Sequence, residues 1–244
     1  WWIFQDNIPL FWYGIKITLL LAVCGTLIGL LIGLLLGGIR AVRIEERDAP
    51  VSRIIKKILH GFVGLYVWIF RGTPMMVQAL IIYHGLRPVL NWSPVTAGIT
   101  IISINTGAYM AEIIRAGIQS IDKGQNEAAR SLGMTSTQTM MSIILPQAIR
   151  NSFPSIGNEF IVNIKDSSML NVIGVIELYF QSSSVAGSLM LYVPTFIVAA
   201  ILYLLLTTLA TQLLSFVEGR MNMPRSSGPS SQSVPVERVS EVYE

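Results

Sequence analysis

Long uncharged apolar runs alternate with short charged connections along this chain. Ile17 to Ile39 holds no charged residue, and neither does Leu178 to Val217. Each run exceeds the roughly 18 apolar residues at which a membrane helix becomes the default reading. The pattern predicts an all-α integral membrane protein of about five transmembrane helices. The predicted spans cover residues 14–38, 58–85, 95–114, 146–164 and 189–216. Residues 165–188 leave no room for a full span and are expected to be re-entrant.

The flanks complete the organisation. Residues 1–13 gather Trp1, Trp2, Phe4, Phe11, Trp12 and Tyr13 around Pro9. Such density suits the membrane–water interface, so an extracytoplasmic interfacial segment is expected there. A membrane domain over 14–222 follows, with a cytoplasmic loop at about 119–140. The tail at 223–244, rich in Ser, Pro and Glu, lacks apolar periodicity and reads as disordered. Gly25, Gly29 and Gly33 recur every fourth residue in the first span, which suits close helix approach. Arg71, Gly72 and Pro74 interrupt the second span near its middle.

Charge placement then sets the orientation. Arg40, Arg43, Arg47, Arg53, Lys56 and Lys57 crowd the first connection, and Lys123 and Arg130 lie in the next inner one. By the positive-inside bias the N-terminus is expected outside and the C-terminus in the cytoplasm. Overall, 52% of residues are hydrophobic and 13% charged, against roughly 25% charged in a soluble domain. Cys24 is the sole cysteine, and His60 and His84 have no acidic or Cys companions at ligand spacing, so no metal site is expected. Basic residues are not interleaved with aromatics, which argues against nucleic acid. No glycine-rich phosphate loop and no protease motif is present, so no catalytic residue and no cofactor is expected on this chain.

The inner loop carries a spaced pattern: Glu127-Ala128-Ala129, then Gly133, then Leu145-Pro146. Glu127 near a helix start would meet the positive end of its dipole. Ala128 and Ala129 keep one face small enough for a partner to dock. Gly133 can take the left-handed conformation that ends a helix, and Pro146 can open the next one. This spacing resembles the EAA motif of binding-protein-dependent ABC permeases. Phe70-Arg71-Gly72-Thr73-Pro74-Met75-Met76-Val77-Gln78 and Asn105-Thr106-Gly107-Ala108-Tyr109-Met110-Ala111-Glu112 are similar to the polar amino acid uptake subfamily, and the likeness runs from about Gly14 to Glu218.

The resemblance implies a type I importer permease in the bacterial plasma (inner) membrane. Two such subunits, alike or different, would form the path. Two ATP-binding cassette subunits, holding ATP and Mg, would dock on Glu127, Ala128, Ala129, Gly133, Leu145 and Pro146. An extracytoplasmic binding protein, in some members fused upstream of the first span, would deliver a polar amino acid with a basic or amide side chain. An ion-coupled transporter or channel without an ATPase is the alternative that intramembrane charges leave open.

Charges at membrane depth cost about 2.5–3.5 kcal/mol on insertion scales, so each is a functional candidate. Lys165, Asp166 and Ser167, where the fourth span breaks, supply both signs for a zwitterion. They head the expected substrate contacts, with Thr18, Thr73, Thr106, Tyr109 and Glu112 as path-lining candidates. Arg71, Arg115 and Glu159 are expected to be structural charges. Arg71 would satisfy carbonyls freed by the break, with Glu112 or Glu159 as counter-ion.

Overall fold

The computed structural model describes residues 2–42 and 49–220. Trp1, the Arg43 and Arg47 part of the basic connection and the 223–244 tail lie outside the described residues. Everything regular among them is helical, in ten α-helices: α1 (Trp2–Asp6), α2 (Ile8–Ala41), α3 (Pro50–Gly72), α4 (Met75–Leu90), α5 (Pro94–Gln119), α6 (Lys123–Ser131), α7 (Ser136–Thr139), α8 (Leu145–Asp166), α9 (Leu178–Leu189) and α10 (Tyr192–Arg220).

Three of these, α2, α5 and α10, are long and apolar enough to cross a membrane unaided. The second expected span is a bent pair. Helices α3 and α4 meet at 111° across the Gly72–Pro74 break, and they pass the same test only together. The fourth expected span, α8, has 22 residues, roughly 33 Å at 1.5 Å per residue, so its length suffices. Arg150, Glu159, Lys165 and Asp166 keep it out of the apolar set.

The spine is the pairing of α2 with α5. Gly14, Gly25, Gly29, Gly33 and Gly37 form a buried stripe on α2. A Cβ at Gly25 would come within 2.7 Å of Ile102, and one at Gly29 within 2.8 Å of Thr106. At Gly33 it would run into Met110. In lipid no hydrophobic drive joins two apolar helices, so such closeness, through dispersion contacts, holds them. Helix α2 starts at Ile8, so Phe11, Trp12 and Tyr13 ride on its first two turns.

Two apolar clusters flank the spine. One gathers Leu21, Ala79, Tyr83, Ile101, Ile102, Leu170 and Val175; the other gathers Met110, Ile114, Ile144, Ala148 and Ile156. The expected re-entrant region is a 3₁₀ stretch, Ser167–Ile173, a left-handed Gly174 at φ 85°, and α9. At 12 residues α9 is roughly 18 Å long, too short to span, and it packs on α2 and α10.

Candidate functional site

The inner excursion is built by local signals. Asp122 caps α6, accepting from the Gly124 amide at 2.7 Å. Glu127 therefore sits in the middle of α6, not in its first turn as its place in the motif suggests, and Asp122 meets the dipole instead. Gly133 does stop the helix in the left-handed region, at φ 79°. Thr135 and Gln138 form a capping box on α7. A π-helical turn, Met140–Ile144, joins α7 to α8. Pro146 would crowd the carbonyl four residues back in a regular helix, and the wider turn lies where that crowding falls.

The surface this produces is unusual for a polar loop. Ala129 is buried against its own chain, whereas Glu127, Ala128 and Gly133 are exposed. Leu132 is 84% exposed between them, an apolar knob that nothing among the described residues covers.

Deeper, polar groups fall into two classes. The first is engaged within the chain. The Thr106 hydroxyl donates to Asn163 Oδ1 at 2.9 Å, and Asn163 Nδ2 donates to Thr26 Oγ1 at 2.9 Å, joining α5, α8 and α2. Thr18 Oγ1 accepts from the Leu178 amide at 3.2 Å. Ser167, fully buried, donates to the Ile164 carbonyl at 2.9 Å. Thr73 donates to the Ile69 carbonyl at 2.9 Å. Glu112 pairs with Arg40 from α2 and with Arg115 at 2.8 Å, while Arg115 also reaches Gln119 at 2.8 Å.

The helix break is sewn by amides. Gln78 Nε2 donates to the carbonyls of Phe70 at 3.0 Å and Thr73 at 2.9 Å, and Asn105 Nδ2 donates to Phe70 at 3.2 Å and to Gln78 Oε1 at 2.9 Å. The expected role of Arg71 at these carbonyls is thus filled by Gln78 and Asn105. Of its two expected counter-ions, Glu112 is held by two other arginines, and Glu159 makes no ion pair with it among the described residues. Arg71 instead lies over the ring of Tyr109, 5.2 Å from its centre.

Among the described residues the second class makes no such bonds but one, Asn151 Nδ2 donating to Ser120 Oγ at 3.5 Å. On α8 the positions 151, 155, 158, 159, 165 and 166 fall on one arc of the helix about 120° wide, at 100° per residue. Asn151, Ser155, Asn158 and Lys165 there are exposed, and Glu159 and Asp166 half-buried. Among the described residues no ion pair closes Lys165, Asp166 or Glu159. Lys165 also lines a cleft of about 320 Å³ with Ile161 and with Thr207, Thr208, Thr211 and Gln212 of α10.

A family model for the inner membrane component of binding-protein-dependent transport systems matches residues 29–223. The chain belongs to that family. The permease is 35% identical to a probable amino-acid permease protein, YxeN, of Bacillus subtilis, over 92% of this chain and 96% of that one. It is 35% identical to the glutamine transport system permease protein GlnP of Escherichia coli, over 91% of this chain and 98% of that one. A crystal structure of an amino acid ABC transporter with histidines superposes with a TM-score of 0.77 at 40% identity, covering 88% of this chain and 96% of that one. The permease is accordingly a multi-pass inner membrane subunit and not itself an enzyme. ATP hydrolysis belongs to a separate chain, and a binding protein is part of the system.

Sequence reasoning missed Asn163, Thr26 and Glu177. Glu177 is fully buried; its carboxylate accepts from the Tyr179 and Phe180 amides, both at 2.7 Å, and from the Tyr203 hydroxyl at 2.9 Å. The signal available was a lone acid ahead of 40 uncharged residues, Leu178 to Val217.

Proposed function

We propose that this permease imports a polar amino acid with a basic or amide side chain, along a path lined by α8. The uncovered polar arc of α8 carries the proposal. Polar side chains at membrane depth face a bundle interior or a water-filled passage, and this chain alone leaves the arc open. A second permease subunit, the same or a relative, closes it from the other side. Glu159, Lys165 and Asp166 supply charges of both signs for a zwitterion. Ser167, Thr18 and Thr106 support the walls, because their hydroxyls are already bonded within the chain. Relatives named for glutamine and amino-acid transport support the cargo class.

Two ATPase subunits, carrying ATP and Mg, dock on α6 and the exposed Leu132. The binding protein, separate or joined ahead of residue 1, delivers cargo on the opposite face. The N-terminus lies outside and residues 223–244 in the cytoplasm.

The test is uptake into vesicles holding the permease, its ATPase and its binding protein, using labelled arginine and labelled glutamine. The expected result is ATP-dependent accumulation of at least one of them. Accumulation driven by an ion gradient without ATP overturns the coupling scheme, and ATP hydrolysis without uptake of either overturns the cargo class.

A further inference from the structure

Arg71 stands out because every bland employment for it is taken. It ends α3 at the break of the bent α3–α4 pair, where a charge is costly without compensation. The carbonyls freed at the break are bonded by Gln78 and Asn105. Glu112, the acid nearest in sequence on the facing helix, is paired with Arg40 and Arg115. Among the described residues no carboxylate lies within ion-pair distance of Arg71.

What Arg71 does have is the face of Tyr109. The ring face attracts the guanidinium cation, and among the described residues the guanidinium donates no hydrogen bond to an oxygen acceptor. The five donors of the fork stay available, and that fork matches a carboxylate in a two-pronged geometry. The side chain is exposed, so an incoming group can reach it. The Arg71 charge is felt at Glu159 of the α8 arc as well as at Glu112.

We propose that Arg71, held in place by Tyr109, takes the α-carboxylate of the transported amino acid. This assignment rests on the importer reading above. The α-ammonium then lies toward Glu159, and the side chain runs along α8 toward Asp166. Recognition of the carboxylate is what separates an amino acid from the amine left by its decarboxylation, whose other groups are the same.

The experiment is equilibrium binding to the purified permease–ATPase complex in nanodiscs, without the binding protein. Labelled arginine is competed by arginine and by agmatine, and labelled glutamine by glutamine and by 4-aminobutanamide. In the wild type the amino acid outcompetes its amine by at least about tenfold, the scale of one charge-assisted hydrogen-bonded contact. Arg71→Gln is expected to remove most of that ratio while leaving affinity for the amine within about twofold. Arg71→Lys is expected to restore part of it, since a point charge replaces the fork. An unchanged ratio in Arg71→Gln overturns the assignment. Equal loss of amino acid and amine binding also overturns it, by making Arg71 merely structural. Failure of the wild type to bind either amino acid also overturns the assignment, while ATP-dependent uptake tests the importer reading separately.

Discussion

Gln78 makes contacts with both sides of a break that its own helix begins. Its amide reaches the carbonyls of Phe70 and Thr73 and the Thr73 hydroxyl, and its oxygen receives Asn105. In hydrocarbon no water can replace these contacts. Gln78→Leu, similar in size, is expected to destabilise the permease by about 1–3 kcal/mol, seen as a lower midpoint in thermal unfolding of the detergent-solubilised protein. An unchanged midpoint would show that the break needs no stitching. The break itself was legible in the sequence, since Gly72 and Pro74 act on their own backbone. The stitch was not, because Asn105 lies 27 positions from Gln78. Asn163 hid for the same reason, its partner Thr26 being 137 positions away. Local rules locate glycine, proline and caps; they do not locate an amide whose partner is brought by the fold.

At the level of elements, the α2–α5 pair offers a comparison inside one helix. Gly33 abuts Met110, and a Cβ there has no space. Gly38, five residues on, would put its Cβ in the open, with nothing within 4 Å. Gly33→Ala is expected to cost about 1–3 kcal/mol, the usual price of overpacking, while Gly38→Ala is neutral or stabilising by up to about 1 kcal/mol. Comparing unfolding midpoints of the two variants checks it; equal shifts would mean that the stripe is not a contact surface. The four-residue spacing announced this packing, but not which helix would receive it. Helix α8 was harder to read as a span, because Arg150, Glu159 and Lys165 dilute its apolar character, and the same dilution is the ground on which we propose it as the path wall.

For the whole molecule, the α6–α7 excursion is where we propose that a partner's motion enters. Leu132 projects beside Ala128 and Glu127 with 84% of its surface exposed. An apolar knob beside small residues suits burial in a partner's pocket. Leu132→Asp is expected to reduce co-purification of the ATPase at least about tenfold, through burial of an unpaired charge, with membrane insertion of the permease intact. Full co-purification of the variant would place the docking surface elsewhere. The EAA spacing foretold this segment through Gly133 and Pro146, which shape their own turns. It foretold nothing of Leu132, whose exposure depends on how α6 lies against the π-helical turn.

The Glu177 carboxylate has a mechanical consequence. It holds the first amides of α9 and the Tyr203 hydroxyl of α10, while Thr18 of α2 holds the Leu178 amide beside it. Three helices are thereby fastened at one rivet, and a transport stroke must carry them as a single rigid plate. The Gly72–Pro74 corner, bridged by two amide side chains, lies outside that plate. A stroke that starts at the ATPase is therefore expected to carry the plate as one piece and to bend the α3–α4 pair at that corner.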